Sequence, residues 1–311
     1  MAQNLRFNQK TVSIDLRCLI EDVTKSISYS AEKKGLELRS FWSQDVPSPL
    51  VGDPGRLRQI LTNLTSNALK FTHEGEIFIN CELAEDLGER LKVRFSVKDT
   101  GIGISKDKQT AIFDGFTQAD GSTPRKYGGT GLGTTISKQL AELMGGEIGL
   151  ESEEGRGSTF WFTAVFAKQT EQASLPIREK VNVTDLRVLV VDDNVTSRFI
   201  LMEHLRSWEC QPVEASDGKE ALTLLKESVS PGMPFDLVLT DFRMPEMSGF
   251  DLAREMRAIE ALKDVPIILH TSAGEIGDWK RCQEIGIEVM TRFEKGINRL
   301  AVYARDRSLS S

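Results

Sequence analysis

LTNLTSNALKFT, residues 61–72, carries the reading that decides the first half of the chain. Leu57, Ile60, Leu61, Leu64, Ala68 and Phe71 recur at helical period and form one apolar stripe. Asp53 followed by Pro54 supplies an N-cap and a first-turn proline, so the helix is expected to start there. Asn63, Asn67 and Lys70 fall at i, i+4 and i+7 and share one face beside that stripe.

Outward from this helix, Asp15 to Lys34 also has helical spacing, and Gly35 stops it. Leu36–Trp42, Glu76–Leu83, Leu91–Lys98 and Ser158–Phe166 read as strands, the last with Phe160, Phe162 and Phe166 on one face. Strands grouped beside helices without steady alternation predict an α/β sandwich, with helices on one face of a mixed sheet. The stretch KQTEQASLPIREKVNVT, 168–184, is polar, carries Pro176 and lacks a periodic pattern, so it reads as a linker. Beyond it, strands at Arg187–Val191, Cys210–Ala215, Asp236–Thr240, Pro266–His270 and Ile287–Thr291 alternate with helices near 195–207, 217–228, 248–260 and 275–285. Alternation of this kind predicts a doubly wound parallel sheet. The expected organisation is a first domain over 1–168, a linker over 169–184 and a second domain over 185–311.

The 311 residues suit two domains at roughly 150 residues each. Lys plus Arg is 39 against 46 Asp plus Glu, a formal net charge of −7, which argues against nucleic acid bound through bulk charge. No apolar run approaches the roughly 18 residues of a membrane helix. The polar start, Met1 to Lys10, lacks the apolar centre of a signal peptide. Cys18, Cys81, Cys210 and Cys282 are widely spread without a CxxC pair, which fits a reducing cytoplasm better than a disulfide or zinc framework.

Four features of the first domain carry chemistry. An asparagine oxygen suits Mg²⁺ and a lysine ammonium suits phosphate, although Asn63, Asn67 and Lys70 taken alone also fit a solvated helix face. Asp99–Ile104, DTGIGI, follows a strand; the Asp99 carboxylate can take an adenine amino group, and Gly101 and Gly103 permit close backbone approach. Alone, it could equally be a tight turn capped by Ser105. Phe113 and Phe116, in IFDGF at 112–116, could pin a lid or sit in the core. Tyr127–Gly133, YGGTGLG, leads into a helix from about Thr134 to Met144, offering backbone N–H groups to phosphates, with Arg125 and Lys126 just upstream. It is not a GxxxxGK[ST] loop, which excludes that NTPase class.

In the second domain, Asp192 and Asp193 follow the first strand, Asp241 the third, and Thr271 ends the fourth. All four therefore stand at carboxyl ends of parallel strands, where ligands bind in such sheets. Converging carboxylates need a cation, and Mg²⁺ fits. A carboxylate so placed can accept a phosphoryl group, with the Thr271 hydroxyl on a phosphoryl oxygen.

Taken as a set, LTNLTSNALKFT (61–72), DTGIGI (99–104), IFDGFTQAD (112–120) and YGGTGLGTTISKQLAELMGG (127–146) resemble the N, G1, F and G2 boxes of sensor histidine kinase ATP-binding domains, of the Bergerat-fold superfamily. The resemblance covers about residues 10 to 167. It implies ATP and Mg²⁺ held by Asn63, Asn67 and Lys70, with Asn67 as a metal ligand. It also implies adenine read by Asp99 with Gly101 and Gly103 making room, and Thr159 near the adenine. A lid from Thr117 to Gly129 would close on the phosphates, the nucleotide loop comprising Arg125, Lys126, Tyr127, Gly129, Thr130, Gly131, Leu132 and Gly133. Thr134 departs from the family's aliphatic residue, with a mild packing effect expected.

VLVVDDN (188–194), LVLTDFRMPEMSGFDL (237–252) and IILHTSAG (267–274) resemble the flavodoxin-like (βα)5 receiver domain of response regulators, over roughly 186 to 300. That resemblance implies Asp241 as phosphoacceptor, assisted by Thr271. Mg²⁺ would be held by Asp192, Asp193, Asp241 and the backbone carbonyl of Arg243. The family's lysine has no lysine counterpart: VMTRFEK (289–295) places Phe293 there in ungapped register, or Arg292 after a one-residue shift. A guanidinium is a planar fork and does not replace a point charge.

Together the two resemblances imply the catalytic and receiver portion of a hybrid sensor histidine kinase. The chain has three histidines: His73 in a turn, His204 on a helix of the second domain, and His270 beside Thr271, each read as structural. The acceptor histidine is therefore expected on a hairpin supplied in trans or by a longer chain, or on a histidine phosphotransfer protein. Without that hairpin the chain is expected to be monomeric. Two alternatives stay open: a Bergerat ATPase of the chaperone or mismatch-repair kind, and a non-catalytic nucleotide-binding scaffold with a degenerate receiver.

Overall fold

A computed structural model describes residues 12–113, 132–169, 183–229, 232–270 and 287–290. The chain divides into two compact units, Met1–Ala173 and Ser174–Ser311.

In the first unit, β1 (Val12–Ile14), α1 (Leu16–Lys33), β2 (Glu37–Trp42), β3 (Leu50–Gly52) and α2 (Pro54–Phe71) lead into β4 (Glu76–Asp86) and β5 (Arg90–Asp99). A short α3 (Lys106–Gln109), α4 (Leu132–Leu143), β6 (Ile148–Glu153) and β7 (Gly157–Lys168) follow. The sheet runs β1-β3-β7-β5-β4-β2, with β6 on β7. β2 pairs parallel with β4, while β4–β5 and β5–β7 are antiparallel, so the sheet is mixed as expected.

Alternation decides which face is covered. Ile77, Ile79 and Cys81 of β4, Leu91, Val93, Phe95 and Val97 of β5, and Phe160, Phe162, Ala164 and Phe166 of β7 are buried together with the α2 stripe Leu57, Ile60, Leu61, Leu64 and Ala68. The residues between them on β5, Lys92, Arg94, Ser96 and Lys98, lie on the opposite face. Asp53 caps α2 by accepting the N–H of Gly55 and of Arg56, and Asp15 caps α1 through the N–H of Cys18. Phe162 is fully buried and stacks on Phe95 with ring centroids 4.9 Å apart. Phe162→Ala is expected to cost about 3–5 kcal/mol of unfolding free energy. Urea denaturation of the two proteins measures it.

The second unit alternates as predicted: β8 (Arg187–Val191), α5 (Val195–Ser207), β9 (Gln211–Ala215), α6 (Gly218–Val229), β10 (Leu237–Asp241), α7 (Gly249–Ala258), β11 (Ile267–His270) and β12 (Glu288–Met290). All pairings in its β12-β11-β10-β8-β9 sheet are parallel. Asn194 caps α5 through the N–H of Ser197, and Ser248 with Asp251 forms a capping box on α7. The expected helix near 275–285, Thr271 and the lysine-position residues Arg292 and Phe293 lie outside the described residues. The linker reading needs one amendment. Val183 is buried in the core of the second unit, and its carbonyl accepts the Cys210 thiol at 3.2 Å.

Candidate functional sites

In the first unit, α2 presents Asn63, Asn67 and Lys70 on one half-buried face, as their spacing required. They do not all point to the same use. Asn63 Nδ2 donates to Ser137 Oγ of α4 at 3.0 Å. A Cβ at Gly133 would lie 2.2 Å from Asn63 Oδ1, so Gly133 is small because Asn63 packs there. Asn63 therefore ties α2 to the start of α4. Lys70 Nζ lies 4.8 Å from the centre of the Phe71 ring. Thr134 does more than pack: its Oγ1 donates to the carbonyl of Ile112 at 2.7 Å, joining α4 to the segment around Phe113. Phe113 packs edge-on against Phe160, which answers the lid-or-core question in favour of core for that residue. Phe116 lies outside the described residues.

Asp99 ends β5 and is only 5% exposed. Its Oδ1 accepts the N–H of Gly101 at 2.8 Å, and the backbone N–H of Ser158 also faces its charge. Burial raises its pKa, and the backbone N–H groups of Gly101 and Ser158 oppose the rise. A buried, acceptor-only group with remaining lone pairs can take a ligand N–H donor. The glycines have a nearer reason than ligand approach. A Cβ at Gly101 would meet the Phe71 carbonyl at 2.5 Å, and Gly103, at φ +65°, leaves 2.0 Å to the Glu153 carbonyl. The loop is pressed onto its own protein, where a side chain would not fit.

Thr159 requires a correction. Cross-strand register pairs Asp99 with Ser158 and Lys98 with Thr159. Side chains alternate at period two, so Thr159 belongs to the sheet face opposite the Asp99 carboxylate, and buried Ser158 takes the position expected of it. Arg125, Lys126, Tyr127, Gly129, Thr130 and Gly131 lie outside the described residues; Leu132 begins α4.

In the second unit, the carboxyl edge of the parallel sheet gathers Asp192, Asp241 and His270, one ligand atom from each lying within 4.8 Å of the others. Asp192 is 2% exposed; its Oδ1 accepts the N–H of Asn194 at 2.8 Å, and its Oδ2 lies 3.0 Å from His270 Nε2. Asp241 Oδ2 accepts the N–H of Arg243 at 3.1 Å. Gly249 is tight here too, since a Cβ would fall 2.2 Å from the Asp241 carbonyl. Asp193 is exposed and is not one of the three residues whose ligand atoms converge; His270 is. His270 lies directly across from Asp241 in the β10–β11 register.

Burial pushes the Asp241 carboxyl up to about 6; His270 and the N–H groups of Arg243 and Phe242 oppose the shift, and Asp192 adds to it. A raised carboxylate pKa means that the fold favours the neutral form. The corresponding stability is fully present below the ordinary value of 3.8 and is lost as pH rises through about 6. Without divalent cations, the parent is therefore expected to lose about 1–2 kcal/mol relative to Asp241→Asn between pH 4 and pH 7, after discounting for partial solvent screening. Paired denaturation curves at both pH values measure this difference.

These two sites define the class: an α/β-sandwich nucleotide-binding unit and a doubly wound unit with an acid site at its carboxyl edge. Residues 52–168 match the family of histidine kinase-, DNA gyrase B-, and HSP90-like ATPases, and residues 188–298 match the response regulator receiver domain. The chain thus joins a histidine kinase-, DNA gyrase B-, and HSP90-like ATPase domain to a response regulator receiver domain, a pairing it shares with histidine kinase relatives. Sensor protein GacS of Pseudomonas syringae pv. syringae is 37% identical over 83% of this chain and 28% of its own length. Sensory/regulatory protein RpfC of Xanthomonas campestris pv. campestris is 30% identical over 92% of this chain and 42% of its own. The crystal structure of full-length ShkA in complex with AMPPNP is 27% identical with a TM-score of 0.71, covering 96% of this chain and 58% of that one. The chain spans less than half the length of these curated relatives. Among the described residues, no helix is long and apolar enough to cross a membrane.

Proposed function

We propose that the chain is the catalytic and receiver portion of a hybrid sensor histidine kinase working in a two-component phosphorelay in the cytoplasm. It has an ATP-binding domain over about 1–168 and a receiver over about 185–311, joined by a linker. The first unit binds Mg-ATP: Asp99 reads the adenine, Asn67 is the Mg²⁺ ligand, and Lys70 meets phosphate. Asn63 and Gly133 set the position of α4, and the loop containing Arg125, Lys126, Tyr127, Gly129, Thr130 and Gly131 covers the phosphates. The γ-phosphoryl passes to a histidine on a partner hairpin or phosphotransfer protein. In the second step an Asp241 carboxylate oxygen attacks that phosphorus. The P–N bond breaks, its electron pair returns to the imidazole, and the imidazole takes up a proton. Asp192, Asp193, Asp241 and the Arg243 carbonyl would hold Mg²⁺, which when bound would neutralise charge on the phosphoryl oxygens. Thr271 positions the phosphoryl group.

The observation that carries this reading is the meeting of buried Asp192 and half-buried Asp241 at the carboxyl edge of a parallel sheet, in the same chain as an Asp99–Gly101 turn backed by α2. Incubation with radiolabelled ATP, Mg²⁺ and a purified histidine-containing hairpin tests its first step. Label is expected on the hairpin histidine with the parent chain and is lost with Asn67→Ala. Absence of label on the hairpin, with nucleotide binding intact, would favour the non-catalytic scaffold.

A further inference from the structure

We infer that Ser152 is a positioning residue that makes the nucleotide site selective for a 6-amino purine over a 6-oxo purine. It acts through Ser158, whose hydroxyl hydrogen it holds away from the base. Ser152 has this role only if Asp99 meets the base, as proposed.

Three observations support it. Cross-strand register sets Asp99, Ser158 and Ser152 side by side on β5, β7 and β6, and directly opposed residues share one face of a sheet. Ser152 Oγ is fully engaged: it accepts the Ile104 N–H at 2.8 Å, donates to the Gly157 carbonyl at 2.9 Å and lies 2.9 Å from Ser158 Oγ. The Asp99–Ile104 loop is clasped around it at further points. The Gly155 N–H donates to the Ile102 carbonyl at 2.8 Å, and Gln109 Nε2 donates to the carbonyls of Ile104 and Ser152 at 2.7 and 2.9 Å.

Counting hydrogens decides what Ser158 offers. A serine hydroxyl has one hydrogen and two acceptor lone pairs. The Ser152 hydrogen goes to Gly157, and one lone pair takes the Ile104 N–H. The other lone pair is left for the Ser158 hydrogen, so Ser158 is the donor of the serine pair. Ser158 Oγ then offers lone pairs alone, next to a carboxylate that is also acceptor-only. A 6-amino group carries two N–H donors and suits two acceptors. A 6-oxo group brings another acceptor and stays unpaired, which a buried site penalises. Ser158 is 6% exposed, so water does little to relieve that mismatch. Without the Ser152 hydroxyl, the Ser158 hydrogen can turn toward a 6-oxo group and accommodate it.

Calorimetric titration of the full chain with ADP and with IDP, each with Mg²⁺, tests this. The two nucleotides differ only in a 6-amino against a 6-oxo group. The proteins are the parent, Ser152→Ala, Ser152→Thr, Ser158→Ala, the double variant Ser152→Ala with Ser158→Ala, and Asp99→Asn. Thermal melting verifies that each is folded. The parent is expected to prefer ADP by about 100-fold. In Ser152→Ala the preference should fall to about 10-fold, and Ser152→Thr, which keeps the hydroxyl, should restore it. Ser158→Ala should lower the preference as far, and adding Ser152→Ala to it should change the preference no further. A merely loosened loop would weaken both nucleotides equally. A preference within about twofold of the parent's in Ser152→Ala or in Ser158→Ala would therefore overturn the inference, as would a Ser152→Thr that behaves like Ser152→Ala. ADP affinity that depends on Asp99 in those cases would leave the nucleotide reading standing. ADP affinity indifferent to Asp99→Asn would overturn both.

Discussion

With Mg²⁺ and acetyl phosphate, the parent chain is expected to gain one phosphoryl group, and Asp241→Ala none. Asp241 ends β10, and Gly249 and Arg243 hold the strand-end turn around it. One carboxylate oxygen accepts the Arg243 N–H at 3.1 Å, which leaves the other to attack phosphorus. Asp192 is too buried and too fully engaged, by the Asn194 N–H and by His270, to replace it. Asp193 is exposed and outside the cluster. The effect should therefore be all-or-none. Intact mass spectrometry reads it, and an adduct of equal yield in Asp241→Ala would move the acceptor to another residue. Lability of the adduct at alkaline pH would mark it as an acyl phosphate.

The second large effect lies at Asp99. Asp99→Asn is expected to weaken binding of a non-hydrolysable ATP analogue by about 100-fold or more. The carboxylate is buried and already accepts the backbone N–H of Gly101. An asparagine must turn its NH₂ either toward that donor or toward the ligand's amino group, so one donor faces another. A lost charge-assisted hydrogen bond with an unsatisfied buried donor costs about 3 kcal/mol, which is a factor of about 100. Calorimetric titration measures it. A change of under threefold in a variant that melts normally would remove Asp99 from the nucleotide site.

Much of the architecture was legible in local pattern. The α2 stripe, the alternation in β4, β5 and β7, and the strand–helix rhythm of the second unit repeat over enough residues to show their period. The three-residue strands β1 and β3 could not be read that way. Val12–Ile14 and Leu50–Gly52 are strands because they pair with each other and with the end of β7, a contact between distant segments. β6, paired along β7, was missed for a similar reason. At the sites, residue types were easier to read than their uses. Asn63 meets Ser137 74 positions away, and Gly101 and Gly103 fit against Phe71 and Glu153, none of which local spacing reveals. The Thr159 reading failed by one residue although the parity was present. Phe160, Phe162 and Phe166 all share the face of Ser158.

The central claim is that phosphoryl from ATP ends on Asp241 of this chain by way of a histidine. The most direct measurement is a time course of intact masses for the chain mixed with a purified hairpin domain, ATP and Mg²⁺. The hairpin should gain phosphoryl first. The chain should gain it as the hairpin loses it, and Asp241→Ala should leave the hairpin phosphorylated. A phosphoryl group that stays on the hairpin with the parent chain as it does with Asp241→Ala would contradict the account.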